Sequence, residues 1–195
     1  LLEPLTAPRV AVLGNHDYKI FPFIHQIKRI ATGRVIGVDR PETELFKKRL
    51  IEEGLGLLIN EHVRLDWLDG LAVNIIGIDD PITGRANYNQ AFQGIRDAAL
   101  QLALIHSPTY FAVLEKHDID AAFAGHTHGG QIRIPGMGPL PLVYHIEPII
   151  DSTDRYGFPG IVSRGMGASP FLRIRLFCRP EALLVVIKGE KEKEH

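Results

Sequence analysis

Short apolar runs that each end in polar residues are the feature that most restricts how this chain can fold. Runs of this length are typical of strands buried inside an α/β sheet. Because loops from several strands converge at one edge of such a sheet, we expect their polar ends to lie together. The runs and their polar ends are Val10–Leu13 before Asn15-His16-Asp17, Leu71–Ile78 before Asp79-Asp80, Leu102–Ile105 before His106, and Ile119–Ala124 before His126 and His128.

Helical patterns lie between these runs. One helix is predicted from the segment 39–42 to Glu53, where Gly54 stops it. A second is predicted over Tyr88–Leu100. A third is predicted through Lys116, with Ser107 as the N-cap and Pro108 in the first turn.

Three further strands are predicted. Leu57–Glu61 is a short one, and Phe171–Phe177 alternates apolar residues with arginines, so one of its faces should be wet. Ala182–Ile187 is apolar throughout and should be buried. Strands that alternate with helices predict a layered α/β domain, which we expect to span residues 1–195 as a single unit.

The composition excludes several classes of protein. The chain has 195 residues, 45% of them hydrophobic, which suits one globular domain with a substantial core. A net charge of −1 with scattered basic residues gives no nucleic-acid-binding signature. No apolar stretch approaches the roughly 18–20 residues of a membrane-spanning helix. The single cysteine, Cys178, excludes a thiolate metal cluster, so any metal must be held by nitrogen and oxygen.

The histidines at the strand ends predict a metal site. In extended backbone His126 and His128 would point to the same side, and the glycines around them would let the chain turn sharply. His106 and the amide oxygen of Asn15 would complete a set of three nitrogens and one oxygen, which suits Zn, Mn, Fe or Ni better than Ca or Mg. An ordinary hydrogen-bonded role is the alternative for any single histidine, and it is their concentration that favours a site.

These segments, taken together, resemble the calcineurin-like metallophosphoesterase superfamily. The motifs that carry the resemblance are GNHD (14–17), IHSP (105–108) and GHTHGG (125–130). The resemblance extends over nearly the whole chain to the bacterial YkuE/YaeI-like phosphodiesterase branch. The segments that extend it are GIDD (77–80), GHTHGGQIRIPG (125–136), VSRGMG (162–167) and FCRPE (177–181).

The resemblance implies a four-layer α/β/β/α sandwich of two mixed sheets with a dinuclear metal centre between them. Two divalent ions (Mn, Fe, Zn or Ni) would clamp the phosphoryl oxygens and activate a water. His16 matches the histidine that contacts the phosphate and assists the leaving group, and Asp17 would orient its imidazole. The implied metal ligands are Asn15, His106 and His126 for one ion and His128 for the other.

Two motifs of the family pattern, Asp-x-His and Gly-Asp-x-x-Asp, are missing. They would precede GNHD, and the residues before Gly14 contain neither Asp nor His. They would supply an Asp and a His to one metal and the aspartate that bridges both. We expect this chain to lack the first βα unit of the domain. The alternatives are that another chain completes the site, or that the protein is a non-catalytic metal-binding or interaction module.

Weaker signals concern the substrate. Arg164 is predicted to grip a phosphate group, with a surface salt bridge as the alternative. Asp80, with Asp79, is predicted to reach a substrate group, with a strand-ending turn as the alternative. The segment 18–30 mixes aromatic and basic residues, which indicates either a membrane-contacting surface or a helix packed on its own core.

The expected function is metal-dependent hydrolysis of phosphodiester bonds, or of phosphomonoester or pyrophosphate bonds. The expected partner is a small-molecule or lipid-linked phosphoester. Peripheral membrane contact is compatible with this prediction, and the expected location is cytoplasmic or membrane-peripheral.

Overall fold

A five-stranded mixed sheet forms the centre of the protein in this computed structural model, which describes residues 7–21, 37–66, 70–140, 151–169 and 173–188. The strands are β1 (Val10–Ala11), β2 (Lys19–Ile20), β3 (Val38–Asp39), β4 (Gly56–Leu57), β5 (Glu61–Asp66), β6 (Ala72–Gly77), β7 (Leu100–Leu104), β8 (Ala121–Ala124), β9 (Arg133–Ile134), β10 (Gly138–Pro139) and β11 (Gly160–Val162). The central sheet has the order β11-β8-β7-β6-β5. Only its β5–β6 pair is antiparallel, and its other neighbours are parallel.

The short strands form three two-stranded sheets, β1 with β4, β2 with β3 and β9 with β10. β1 and β4 are parallel, whereas the other two pairs are antiparallel. The mixed central sheet with its helices confirms the predicted α/β fold class. The four-layer arrangement of two sheets stays a prediction.

The helices are shorter than the sequence pattern suggests. They are α1 (Asn15–Tyr18), α2 (Thr43–Glu52), α3 (Tyr88–Phe92) and α4 (Phe111–Leu114), with 3₁₀ turns at Pro108–Tyr110 and His128–Gly130. The helix predicted to end at Glu53 is therefore confirmed. The helix predicted over Tyr88–Leu100 is wrong beyond Phe92, because Gly94 adopts a left-handed φ of 75° and β7 already begins at Leu100.

The helix predicted after Ser107 is also only partly right. A 3₁₀ turn precedes α4, which ends at Leu114 rather than Lys116. The Ser107 side chain makes no capping hydrogen bond, and its buried hydroxyl has no hydrogen-bond partner among the residues that the structure describes. Pro108 does occupy the first turn, as predicted.

The hydrophobic core packs on the central sheet. β6 contributes Val73 and Ile76, both 0% exposed. The ring of Phe111 packs edge-on against Phe158, with 6.2 Å between ring centroids. A Cβ atom on Gly160 would lie 2.6 Å from the Phe111 ring, so β11 needs glycine at this position. The buried members of the main core cluster are Ile76, Ile78, Ala91, Ala103, Ile105, Phe111, Leu114, Ile119, Ala122, Phe158 and Val162.

The parallel strands bring the predicted polar residues to one edge. β6, β7, β8 and β11 run in the same direction, so their carboxyl ends meet on the same side of the sheet. Asp79, His106, His126 and Arg164 each follow one of these ends within two residues. The fold therefore gathers the loops that the sequence singles out.

The two predicted C-terminal strands are wrong in the part that the structure describes. Residues 173–177 contain only one isolated bridge, between Ile132 and Leu176. Ile174 and Leu176, predicted to be buried, are 61% and 48% exposed, while Arg175, predicted to be on the wet face, is half-buried. The segment 182–187 is irregular and exposed, with Leu184 at 91%. An apolar run becomes a buried strand only beside a partner edge, and the described residues offer none there.

Within the ranges that the structure describes, the helices are not long and apolar enough to cross a membrane. Of the amphipathic segment 18–30, only 18–21 is described, and the rest lies outside the described residues.

Replacing Phe111 with alanine should lower the free energy of unfolding by about 3–5 kcal/mol, because a fully buried aromatic ring is removed from the core. Urea denaturation followed by circular dichroism measures this value. Val113→Ala is the matched control, because Val113 lies on the same helix but is 36% exposed. Equal losses for the two variants would contradict the core described above.

Candidate functional site

Three side chains from separate parts of the chain meet at the carboxyl edge of the sheet. Asn15 begins α1, whereas His106 and His126 follow β7 and β8. His106 Nε2 lies 2.9 Å from Asn15 Oδ1 and 3.0 Å from His126 Nδ1. The structure therefore brings together three of the residues that the sequence predicts to share a site.

The His106 ring fits here because residue 14 is glycine. A Cβ atom on Gly14 would lie 2.4 Å from His106 Cε1, far inside van der Waals contact. The glycine of GNHD therefore lets an imidazole pack directly against the backbone that leads into α1. Asn15, the next residue, is only 4% exposed.

The three atoms that meet here are all potential metal donors. Asn15 Oδ1 cannot donate, so the proton in its contact must belong to His106 Nε2. Without that proton, the Nε2 atom of His106, the Nδ1 atom of His126 and the amide oxygen of Asn15 could bind one cation together. The donor chemistry therefore fits a metal ion.

The distances agree with this interpretation. Donor atoms that share one ion at about 2.1 Å lie between about 3.0 and 3.4 Å apart. Two nitrogens and one oxygen suit a borderline transition metal. Asn15 is essential to the set, because the described residues contain no cluster of three His, Cys, Asp or Glu side chains that could hold a metal by themselves.

The backbone of the GHTHGG segment is not extended, so the predicted reason for the convergence of its histidines is wrong. His126 and His128 have left-handed φ values of 63° and 50°, and Gln131 follows with 56°. Residues other than glycine adopt this conformation uncommonly, and those that do are found in turns and at active or ligand-binding sites. A tight turn, rather than a β-strand, positions both imidazoles.

A hydrogen-bond network holds this turn in place. Arg175 Nη1 donates to the carbonyl oxygen of His128 at 3.1 Å, and the Cys178 thiol donates to the same oxygen at 3.2 Å. Arg175 also donates to the carbonyl oxygens of Arg164 and Gly167. The segments around VSRGMG and FCRPE therefore support the GHTHGG turn.

All four strand-end histidines line one cavity of about 370 Å³ at this edge. His16 reaches it from α1 and also contacts the ring of Phe21 edge-on. The residues that line this cavity are His16, Arg40, His106, His126, His128 and Ala168.

Burial keeps two of these imidazoles neutral near pH 7. Desolvation lowers the pKa of His128 to about 4, and the positive charges of Arg175, His126 and His16 act in the same direction. Desolvation also lowers the pKa of His16, helped by the charges of His126 and Arg40 and opposed by that of Asp17. A neutral imidazole has a free lone pair, which can bind a metal ion or accept a proton.

The Asp17 carboxylate bonds the backbone at the start of its own helix. Its Oδ2 accepts a hydrogen bond from the Gly14 amide at 2.8 Å, which closes the first turn of α1. Within the described ranges it makes no hydrogen bond to His16. Its carboxylate charge does act on His16, raising the pKa of that imidazole. Its predicted role as the orienting partner stays a prediction.

Asp79 and Asp80 lie buried behind the site. Asp79 Oδ1 accepts from the Tyr18 hydroxyl at 2.6 Å, which ties the end of β6 to α1. Asp80 is 0% exposed and accepts from both the amide and the hydroxyl of Thr83. Burial raises the pKa of Asp80. The turn interpretation accounts for these bonds, and substrate contact by Asp80 stays a prediction.

The Arg164 guanidinium faces carboxylates. It lies 3.7 Å from Glu181 and 3.9 Å from Asp151, and it is not among the residues that line the histidine cavity. These ion pairs match the salt-bridge alternative. Phosphate binding by Arg164 stays a prediction.

The sequence patterns did not single out Arg40 or the support given by Arg175. Arg40 precedes α2 in an ordinary helix-start pattern, and its contact with the site depends on the β2–β3 pairing, which no motif reveals. Arg175 appears in the sequence only as a polar residue of an alternating run. The one available signal was its position three residues before Cys178, in the FCRPE region.

No protein-family model matches this chain, and neither does any solved structure. The chain is 32% identical over 177 residues to the uncharacterized metallophosphoesterase YkoQ of Bacillus subtilis. The matched region covers 88% of this chain and 57% of YkoQ.

Two further bacterial proteins belong to the predicted branch. The chain is 25% identical over 192 residues to the uncharacterized metallophosphoesterase YkuE of Bacillus subtilis, covering 97% of this chain and 60% of YkuE. It is 26% identical over 188 residues to the phosphodiesterase YaeI of Escherichia coli, covering 95% of this chain and 61% of YaeI. The chain thus spans about three-fifths of the length of these relatives. The predicted resemblance is confirmed, and the chain is a relative of the bacterial members of the calcineurin-like metallophosphoesterases.

Proposed function

We propose that this chain takes part in the metal-dependent hydrolysis of phosphodiester bonds, or of phosphomonoester or pyrophosphate bonds, within one domain that spans residues 1–195. The observation that carries the proposal is the contact of His106 Nε2 with Asn15 Oδ1 and His126 Nδ1 at 2.9 and 3.0 Å. The phosphodiesterase and metallophosphoesterase names of the relatives support the same reaction class.

The residues that would hold the metals follow from the donor set. Asn15, His106 and His126 would bind one ion, and His128 would contribute to a second. Mn, Fe, Zn or Ni would suit these nitrogen and oxygen ligands. When bound, a pair of divalent ions neutralises charge on the phosphoryl group and provides a nucleophilic water near neutral pH.

His16 is proposed to protonate the leaving oxygen. Its imidazole lines the cavity and is neutral near pH 7 because burial lowers its pKa. A phosphate anion in the cavity would oppose that effect, because a nearby negative charge favours the protonated imidazole. The proton taken up with the substrate would then be available at the bond that breaks. Arg40, on the same cavity wall, would pair with the remaining negative charge.

A non-catalytic metal-binding or interaction module is the second candidate. It is favoured by one observation, the lack of a three-membered His, Cys, Asp or Glu cluster within the described ranges. Such a module would bind a metal ion through the same three donors but would not turn over a phosphoester. Metal binding and hydrolysis must therefore be measured separately.

Hydrolysis of bis(p-nitrophenyl) phosphate by the full chain should be stimulated by Mn²⁺, and His126→Ala should reduce the rate by about 100-fold or more through loss of the bound metal. Release of p-nitrophenolate measures the rate. His62→Ala is the matched control, because His62 lies on β5 and bonds the carbonyl of Ala91. Equal rates for the two variants would contradict the site.

Mn²⁺ should also stabilise the protein, independently of any turnover. At a concentration about 100 times Kd, a ligand that binds only the folded state adds about 2.7 kcal/mol, and the melting temperature should rise by several degrees. His106→Ala should lose most of this rise, and His62→Ala should keep it. Stabilisation without hydrolysis would favour the module. The absence of both stabilisation and hydrolysis would exclude both candidates.

His16→Asn should slow the release of poor leaving groups more than that of good ones, because only a poor leaving group needs a proton in the transition state. We expect a loss of about 10²–10⁴ in kcat with an alkyl leaving group and a smaller loss with p-nitrophenolate. Steady-state kinetics on both substrates measure the difference. Losses of equal size would mean that His16 has another role.

A further inference from the structure

A second cavity adjoins the histidine cavity. It has a volume of about 430 Å³ and lies between α1 and the first turns of α2. Its lining residues are His16, Asp17, Arg40, Glu42, Leu45, Phe46 and Arg49. Because His16 and Arg40 line both cavities, the two cavities form one groove that leads from the candidate metal ligands onto α2.

This groove has a fixed wall. The Thr43 hydroxyl donates to the carbonyl oxygens of Asp17 and Arg40 at 2.7 and 2.9 Å. Arg40 Nε donates to the carbonyl oxygen of His16 at 3.0 Å. The start of α2 is therefore bonded directly to the helix that carries His16, and the two ends of the groove keep a constant spacing.

The two parts of the groove differ in chemistry. The terminal nitrogens of Arg40 make no hydrogen bond to any residue that the structure describes, so its guanidinium can pair with a phosphate group beside His16. Further along, α2 turns two large apolar side chains into the groove, Leu45 at 51% and Phe46 at 39% exposure. Exposed apolar side chains beside a charged anchor are typical of a ligand site.

We propose that this groove binds the uncharged apolar chain of an amphiphilic phosphoester, with the phosphate held between Arg40 and His16 and the chain lying against Leu45 and Phe46. The inference rests on the proposed function, because it names the substrate class of that same site. Asp17 and Glu42 contribute two carboxylates to the groove and Arg49 contributes one guanidinium, so beyond Arg40 the lining has no net positive charge to hold a second anionic group. An alkyl chain therefore suits the groove better than a further phosphate does.

Binding of methyl, butyl and octyl phosphate to the full chain, measured by calorimetry below micelle-forming concentrations, tests this inference. The wild-type protein should bind octyl phosphate at least about tenfold more tightly than methyl phosphate, because each buried methylene adds affinity. In the double variant Leu45→Ser/Phe46→Ser that ratio should fall toward one. Ile51→Ser is the matched control, since Ile51 is 58% exposed on α2 but does not line the groove, and it should keep the wild-type ratio.

Several results would overturn the inference. One is an equal affinity of the wild-type protein for the three phosphates. Another is a fall in the ratio that Ile51→Ser shares with the double variant. Adenosine monophosphate that binds more tightly than octyl phosphate, and loses this advantage in the double variant, would assign the groove to a nucleotide instead. Circular dichroism establishes that each variant is folded.

The outcomes also separate this inference from the proposed function. The calorimetric ratio requires neither metal nor turnover. If the chain hydrolyses bis(p-nitrophenyl) phosphate but shows no dependence on chain length, the groove assignment fails and the proposed function stands. If the ratio behaves as expected but no Mn²⁺-stimulated hydrolysis occurs, the groove stands as a binding site and the proposed function fails.

Discussion

The contact of His106 with Asn15 and His126 is the interaction on which the site depends. It joins the end of β7 in the central sheet to α1, which follows a strand of a different sheet. Gly14 makes the contact possible, because any side chain there would overlap the imidazole ring. A shift of α1 relative to the end of β7 would therefore separate the donor atoms. The position of α1 on the central sheet and the chemistry of the site depend on the same few contacts.

Burial gives these imidazoles their chemical character. His128 and His16 are neutral near pH 7 because desolvation outweighs every other influence on their pKa values. The surrounding arginines act in the same direction, and Arg175 does so while it also bonds the carbonyl oxygen of His128. A metal ion and an anionic substrate would both suit a cavity that has these two neutral imidazoles beside the guanidinium of Arg40. This combination is what phosphoryl transfer requires.

The sequence predicted the residues at the carboxyl edge of the central sheet better than it predicted the segments that pack around them. Apolar runs ending in polar residues identify β6, β7 and β8, and hence the convergence of His106 and His126, because parallel strands of one sheet must end on one side. The left-handed turn at His126 could not be read in this way, since its conformation depends on contacts with Arg175 and Cys178 from about fifty residues further along the chain. For a related reason Arg40 was not predicted at the site, and the segment 182–187 was wrongly predicted to be a buried strand. Where a side chain lies depends on which element packs beside it, and a local pattern carries no such information.

The left-handed backbone at His126 and His128 has a consequence for how this protein can change. Glycine would adopt these dihedral angles at less energetic cost than histidine does, so folding alone favours losing both imidazoles. Stability and chemistry thus make opposite demands on two positions that lie two residues apart. Replacing either histidine with glycine would therefore ease the backbone of the turn while it removes an imidazole from the cavity.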